Sequence, residues 1–426
     1  MKGPRSLWIA IGSSLLTLLV VVVALNLSIG ETHIDQRLRH QYAVEDPQFA
    51  RSMGVLLGPA ILDGNRVQEL VNGDEIFPAM LTAIRQATRS ITFETFIYWS
   101  CAVGREFADA LSERARAGVA VHVLIDWLGS NKMDDTLLAQ LKGAGVQVAR
   151  YHKPHWSRLA RFNNRTHRKL LVIDGAIGFT GGVGVADHWL GDARDPEQWR
   201  DTHFQIEGPV VAQMQAVFMD NWIKSSGDVL HGERYFPALQ PVGEQRAQMF
   251  SSSPTSGGES MQLMYLMAIT AATRTIDMAN AYFVPDELAI SALVAAARRG
   301  VKVRLIVPGP HTDTDVVRNA SRARWGKLLE AGVQIAEYQP TMFHVKLMVV
   351  DGMMASVGST NFDSRSLSIN DEANLNVLDA GFAKRQIDVF EADWRQSREV
   401  TLQMWNNRPW KEKLLERAAS LLGKQL

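Results

Sequence analysis

Residues 6–30 carry no charged side chain, and their centre, Leu7 to Ile29, is an almost unbroken apolar run. A helix of about 20 such residues is long enough to cross the hydrocarbon core of a bilayer. A cleaved signal peptide would have a shorter apolar region ending in a small-x-small site. This run ends instead in Leu25, Asn26 and Leu27, so it predicts an uncleaved single transmembrane anchor at 1–30. Lys2 and Arg5 precede it, whereas Glu31, Asp35, Arg37, Arg39, Glu45 and Asp46 follow it without a positive excess. That asymmetry predicts an amino terminus inside and a body on the non-cytoplasmic side. Residues 31–63 read as a juxtamembrane linker.

From Gly64 onward the pattern changes to helical and extended segments in alternation, and the same phrases occur twice in the same order. AIRQATRSI (83–91) answers AITAATRTI (268–276), and GVAVHVLID (118–126) answers GVKVRLIVP (300–308). AGVQVARY (144–151) answers AGVQIAEY (331–338), and HRKLLVIDG (167–175) answers HVKLMVVDG (344–352). Such self-similarity is the mark of a duplicated unit. EFADALSERARAG and ELAISALVAAARRG have helical periodicity and close on a Gly suited to a helix C-terminus, then lead into the apolar runs VAVHVLI and VKVRLIV. Strands that are apolar on both faces and alternate with helices predict an α/β fold with helical layers on both sides of the sheet. The expected domains are a first half at 64–250, a Ser/Gly/Pro linker at 251–258, and a second half at 259–426 that ends in an amphipathic helix. A duplicated fold commonly places its site between the halves.

Composition narrows the function. A chain of 426 residues exceeds one ordinary core, and 46% hydrophobic with 21% charged residues excludes a largely disordered protein. Forty-five basic residues balance forty-five acidic ones, so the global field that gathers phosphates for nucleic-acid binders is missing. The lone Cys101 excludes an intramolecular disulfide and a Cys-rich metal site.

Both halves contain His-x-Lys, four further residues, Asp and Gly: His167, Lys169 and Asp174, then His344, Lys346 and Asp351. In a strand, positions i and i+2 share a face, so each imidazole is expected beside one ammonium. A nucleophilic imidazole beside a fixed positive charge can do covalent and acid–base chemistry without a metal or other cofactor. The odd spacing puts Asp174 and Asp351 on the other face of a regular strand, and Asp-Gly is a strong turn signal. They are therefore candidates for a turn-forming and orienting role as well as for direct chemistry.

The paired repeats resemble the signature of the phospholipase D superfamily. NNRTHRKLLVIDGAIGFTGG (163–182), WRDTHFQIEGPVV (199–211), AYFVPDE (281–287) and VGSTNFDSRSLSINDEANLNV (357–377) are similar to bacterial cardiolipin synthases within it, over roughly Gly64 to Trp410. The resemblance implies two phospholipase D-like α/β/α halves with the active site at their interface. It implies transfer of a phosphatidyl group between two phosphatidylglycerol molecules through a phosphohistidine. His167 would be the nucleophile and His344 the acid and then the base, an assignment that the residues alone leave reversible. It further implies that Asp201 and Glu372 orient the histidines, and that Asn361, with Ser359 close by, binds the phosphate. The implied partners are phosphatidylglycerol, other phospholipids and a bilayer, with no nucleic acid; the implied place is the bacterial inner membrane, single-pass. Oligomeric state is not written in any of these patterns. Hydrolysis or transfer to another alcohol uses the same chemistry, and a nuclease or an inactive scaffold are further alternatives. The sequence departs from the family at Gly184, where the first half usually has Asn. The loop 152–165 interleaves basic residues with Trp156 and Phe162, a composition suited to anionic headgroups, to single-stranded nucleic acid or to solvent.

Overall fold

The computed structural model describes residues 4–28, 34, 36–151, 163–254 and 259–421. Its strands are β1 Leu62–Val71, β2 Ser90–Thr95, β3 Ala120–Asp126, β4 Gln147–Tyr151, β5 Leu170–Ile173, β6 Ile177–Gly181 and β7 Thr202–Glu207. They continue with β8 Gln245–Ser252, β9 Thr275–Asn280, β10 Lys302–Pro308, β11 Gln334–Tyr338, β12 Lys346–Val350, β13 Met354–Gly358, β14 Glu372–Leu378 and β15 Ser397–Val400. Among the described residues these make one 15-stranded sheet in the order β15-β11-β10-β9-β12-β13-β14-β8-β1-β7-β6-β5-β2-β3-β4.

Outward from the centre, β8-β14-β13-β12-β9-β10-β11 mirrors β1-β7-β6-β5-β2-β3-β4, so the sequence repeat becomes a repeated topology. β1 and β8 join the halves as an antiparallel pair whose register shifts between Leu62 and Asn65. In each half the outer three strands of this repeat are parallel and the next pairings antiparallel. The parallel pairs require crossovers, which helices such as Ala102–Arg116 and Glu287–Arg298 supply. β8 reaches Ser252, two residues into the Ser/Gly/Pro run, of which 255–258 lie outside the described residues.

Strands such as β5 and β12 are buried on both faces, which is why their residues are apolar at successive rather than alternate positions. In the first half Ile76, Phe77 and Phe107 from two helices cover Phe93 and Val123. On the opposite face, Met214, Phe218 and Trp222 of helix Val211–Ser226 share one cluster with Phe343, Val345, Phe382 and Phe390 of the second half. The halves thus meet over a common apolar core rather than a hydrated seam. Helix Pro47–Leu57, capped by the Asp46 carboxylate on Gln48 N, packs Phe49, Met53 and Leu57 against Met261, Met264 and Tyr265.

The amino-terminal run is helical, Pro4–Ser28, and its described side chains, from Trp8 to Ala24, are almost all exposed. Among the described residues no helix is long and apolar enough to cross a membrane. This corrects the expectation of a transmembrane anchor at 1–30, and with it that of a single-pass inner-membrane protein with its body on the non-cytoplasmic side. Gly12, Ser13, Ser14 and Thr17 interrupt the apolar surface of this helix.

Asp174 and Asp351 sit in the turns after β5 and β12 with φ of 53° and 54°, a left-handed conformation that Asp tolerates better than most residues. The Asp351 carboxylate accepts hydrogen bonds from the backbone N of Thr273, Arg274 and Thr275 and from the Thr273 hydroxyl. Asp174 repeats the arrangement on Thr88, Arg89 and Ser90. Each carboxylate therefore pins the loop that feeds the neighbouring strand, β9 or β2. Asp351→Asn is expected to cost about 2–3 kcal/mol of stability, because a charged acceptor of several bonds is lost, while the folded fraction keeps its turnover rate. Urea denaturation beside active-site-normalised rates checks both parts.

Candidate active site

His167 and His344 stand just ahead of β5 and β12, where extended backbone turns alternate residues to opposite sides. Arg168 shows the alternation: it points away from the site and donates to Val217 O at 2.9 Å and to Asp220 at 3.1 Å. His167 and Lys169 share the other side, and the Lys169 ammonium donates to His167 O at 2.7 Å. Lys346 does the same to His344 O, also at 2.7 Å. Lys346 Nζ additionally lies 3.0 Å from His344 Nε2.

The carboxylates cross between halves. Glu372, at the start of β14, holds His167 Nδ1 at 2.9 Å, and Asp201, just before β7, holds His344 Nδ1 at 2.7 Å. A carboxylate only accepts, so each Nδ1 carries the proton and each Nε2 lone pair is turned to the site. Backbone bonds brace the same crossings: His167 N donates to Asp371 O at 2.9 Å and His344 N to Arg200 O at 2.8 Å. Each histidine is positioned by the half that does not contain it, and neither half holds a complete site.

All four groups are buried, and their charges are coupled. Burial, with Lys169 and Lys346 adding to it, pulls His167 down to about 4 against the pull of Glu372. Burial and Lys346 take His344 to about 3. Burial also lowers the ammonium of Lys169 to about 7 and that of Lys346 to about 8. Burial raises Glu372 and Asp201, but the adjacent histidines and lysines more than offset it, so both stay below the ordinary carboxylate range. The site therefore combines neutral imidazoles with ionised carboxylates.

The structure brings eight of the ten residues singled out in the sequence to this interface. Asp174 and Asp351 are the two it leaves in their turns. Ser359 is present, but its hydroxyl donates to Glu372 and so serves the carboxylate. Asn361 is buried, and its Oδ1 has no partner among the described residues. The loop at 152–165 falls mostly, at 152–162, outside the described residues. Among the described residues no cluster of His, Cys, Asp or Glu is arranged to hold a metal ion.

Two contributors escaped the sequence reading. Arg200 forms a buried two-pronged pair with Asp393, at 2.9 and 2.8 Å, and donates to Thr202 Oγ1 at 3.0 Å. It lay inside the WRDTH phrase, but nothing in the sequence marked Asp393 as its partner. Trp189 donates its indole N–H to Asp201 Oδ2 at 3.0 Å.

Two His/Lys pairs set symmetrically at the junction of duplicated α/β halves define a phospholipase D-type phosphoryl-transfer site. The sequence model of the family described as "Cardiolipin synthase, PLD-like domain" matches residues 80–222 and 265–394. A cardiolipin synthase of Geobacillus kaustophilus is 34% identical over 357 residues, 83% of this chain and 71% of that protein. Cardiolipin synthase A of Pseudomonas fluorescens is 35% identical over 351 residues, 82% of this chain and 73% of its own. The chain belongs to the cardiolipin synthase family of phospholipase D-like enzymes. In fold it is similar to the phosphatidylserine synthase of Haemophilus influenzae, with a TM-score of 0.69 at 15% identity over 89% of this chain and all of that one.

Proposed function

We propose that the chain transfers a phosphatidyl group from one phosphatidylglycerol to a second, giving cardiolipin and glycerol through a phosphohistidine. The observation that carries this reading is the crossed pair of carboxylate-held imidazoles flanking two ammonium groups. The donor phosphate binds between Lys169 and Lys346, with the Asn361 amide on one of its oxygens. His167 Nε2, which no hydrogen bond holds among the described residues, attacks phosphorus. The P–N bond forms as the bond to the glycerol oxygen breaks, and His344 gives that oxygen its proton. The negative charge of the bound phosphodiester raises His344 enough to carry that proton. His344, now neutral, takes the proton of the acceptor's glycerol hydroxyl, whose oxygen displaces His167 from phosphorus. Atoms and charge balance, and His344 ends protonated again.

Purified protein is given phosphatidylglycerol in mixed micelles and the lipid products are separated. Cardiolipin with one glycerol per cardiolipin supports the reading. Phosphatidic acid with glycerol makes water the acceptor and defeats it, as does the absence of any product.

The lysines set an expected pH dependence. Burial lowers both ammonium groups in the free site, so the phosphate-binding charge is full only well below pH 7 and is lost as pH rises through about 7 for Lys169 and about 8 for Lys346. kcat/KM, which reports the free enzyme, is expected to fall on the alkaline side with a limb between those values. An initial-rate profile at constant ionic strength checks it, and a rate flat to about pH 10, the ordinary lysine range, would contradict the assignment.

A further inference from the structure

The two halves hold their histidines by different means, although the repeat aligns them residue for residue. HRKLLVIDGAIGFTGGVG (167–184) overlies HVKLMVVDGMMASVGSTN (344–361), so Gly182 stands where the second half has Ser359 and Gly184 where it has Asn361. In the second half the Ser359 hydroxyl donates to Glu372, the carboxylate of His167. Nothing at Gly182 can do this for Asp201. A Cβ there would lie 2.3 Å from Asp201 Oδ1, because the shorter Asp draws its carboxylate back against the strand.

The donor comes instead from Trp189, in the short turn Asp187–Trp189. Its indole N–H reaches the same Oδ2 that holds His344 Nδ1. The far edge of that indole lies over Gly184: a Cβ there would sit 3.3 Å from Trp189 Cη2 and Cζ3 and 2.9 Å from Ile97 Cβ. The Trp189 ring also meets His344 edge-on, with centroids 5.4 Å apart. The missing Asn in the first half is thus the space that the tryptophan uses.

We infer that Trp189 is a positioning residue for His344, acting through Asp201 and replacing the serine hydroxyl that serves His167. The two glycines and the tryptophan form one device. Asp201 stays correctly aimed because Thr202 N holds Oδ1 at 2.8 Å while Trp189 holds Oδ2. The charged and titratable groups facing His344 are Asp201, Lys346, Lys169 and Tyr282, whose hydroxyl is bound to Asp313. Trp189 is the neutral donor that tunes the first of them.

The inference rests on the transfer reading for its kinetic test only. Trp189→Phe keeps the ring packing and removes the N–H. A carboxylate with one donor fewer is more basic, so its bond to His344 Nδ1–H strengthens and the imidazolium becomes easier to form. The variant is expected to lose about tenfold in kcat at unchanged KM, with the acid limb of its pH profile moved upward. In spectra of ¹⁵N-histidine-labelled full-length protein, assigned with His344→Gln, the Nδ1 proton of His344 should move downfield while that of His167 stays. Ser359→Ala should move the His167 signal and leave that of His344. An unchanged His344 signal overturns the inference, whether kcat is kept or falls together with the thermal midpoint. If wild type makes no cardiolipin, the transfer reading fails while the histidine spectra still decide this one.

Discussion

His167→Ala is expected to lower cardiolipin formation by at least about 10⁴-fold, since removing one member of a unit that acts together costs nearly as much as removing the whole. The imidazole is the nucleophile of the proposed cycle, and no other described group occupies its place beside Lys169. Phosphate binding should survive, because Lys169, Lys346 and Asn361 are untouched. Phosphatidylglycerol labelled in its phosphate separates the two histidines further. His344→Ala should still accumulate some acid-labile labelled protein, because attack can proceed slowly without the acid, whereas His167→Ala should accumulate none. The opposite pattern, label on His167→Ala alone, would reverse the roles of the two.

The second large effect falls on stability. Arg200 and Asp393 are almost wholly buried, with side chains 4% and 5% exposed. Asp393→Ala strands the guanidinium in the core, and breaking such a buried pair from one side costs about 3–5 kcal/mol. The damage should reach the chemistry, because the Arg200 backbone pairs with Met342 O and His344 N. Arg200→Met with Asp393→Leu, which removes both charges and fills the space, is expected to recover most of the lost stability. Urea midpoints of wild type and the two variants measure this, and equal losses in the single and double variants would show that packing, not the uncompensated charge, sets the cost.

Much of the protein is legible in its sequence. The duplication, the alternation of helix and strand, and the placing of His and Lys on one face all follow from periods and spacings that short stretches of chain carry by themselves. Asp174 and Asp351 illustrate the limit of this. Their odd spacing and the following glycines left a turn role and a chemical role both open, and only the backbone amides of 88–90 and 273–275 show where the carboxylates go. The run at 6–30 shows another: an uncharged apolar stretch predicts a membrane span, yet no described helix meets the length and apolarity that crossing needs.

By itself the sequence determined two α/β units, each with one imidazole beside one ammonium, and a family of phosphatidyl-transferring enzymes to which they belong. Those features are local, carried by strand alternation over a few residues. The tertiary structure decided the rest: that β1 pairs with β8, that Glu372 serves His167 while Asp201 serves His344, that Arg200 needs Asp393, and that Trp189 enters the space left by Gly184. Most of these join residues far apart in the chain, His167 and Glu372 being 205 positions distant. A hydrogen-bonding partner of that kind is chosen by distance and direction after the halves have packed, and no period or spacing in the chain encodes it.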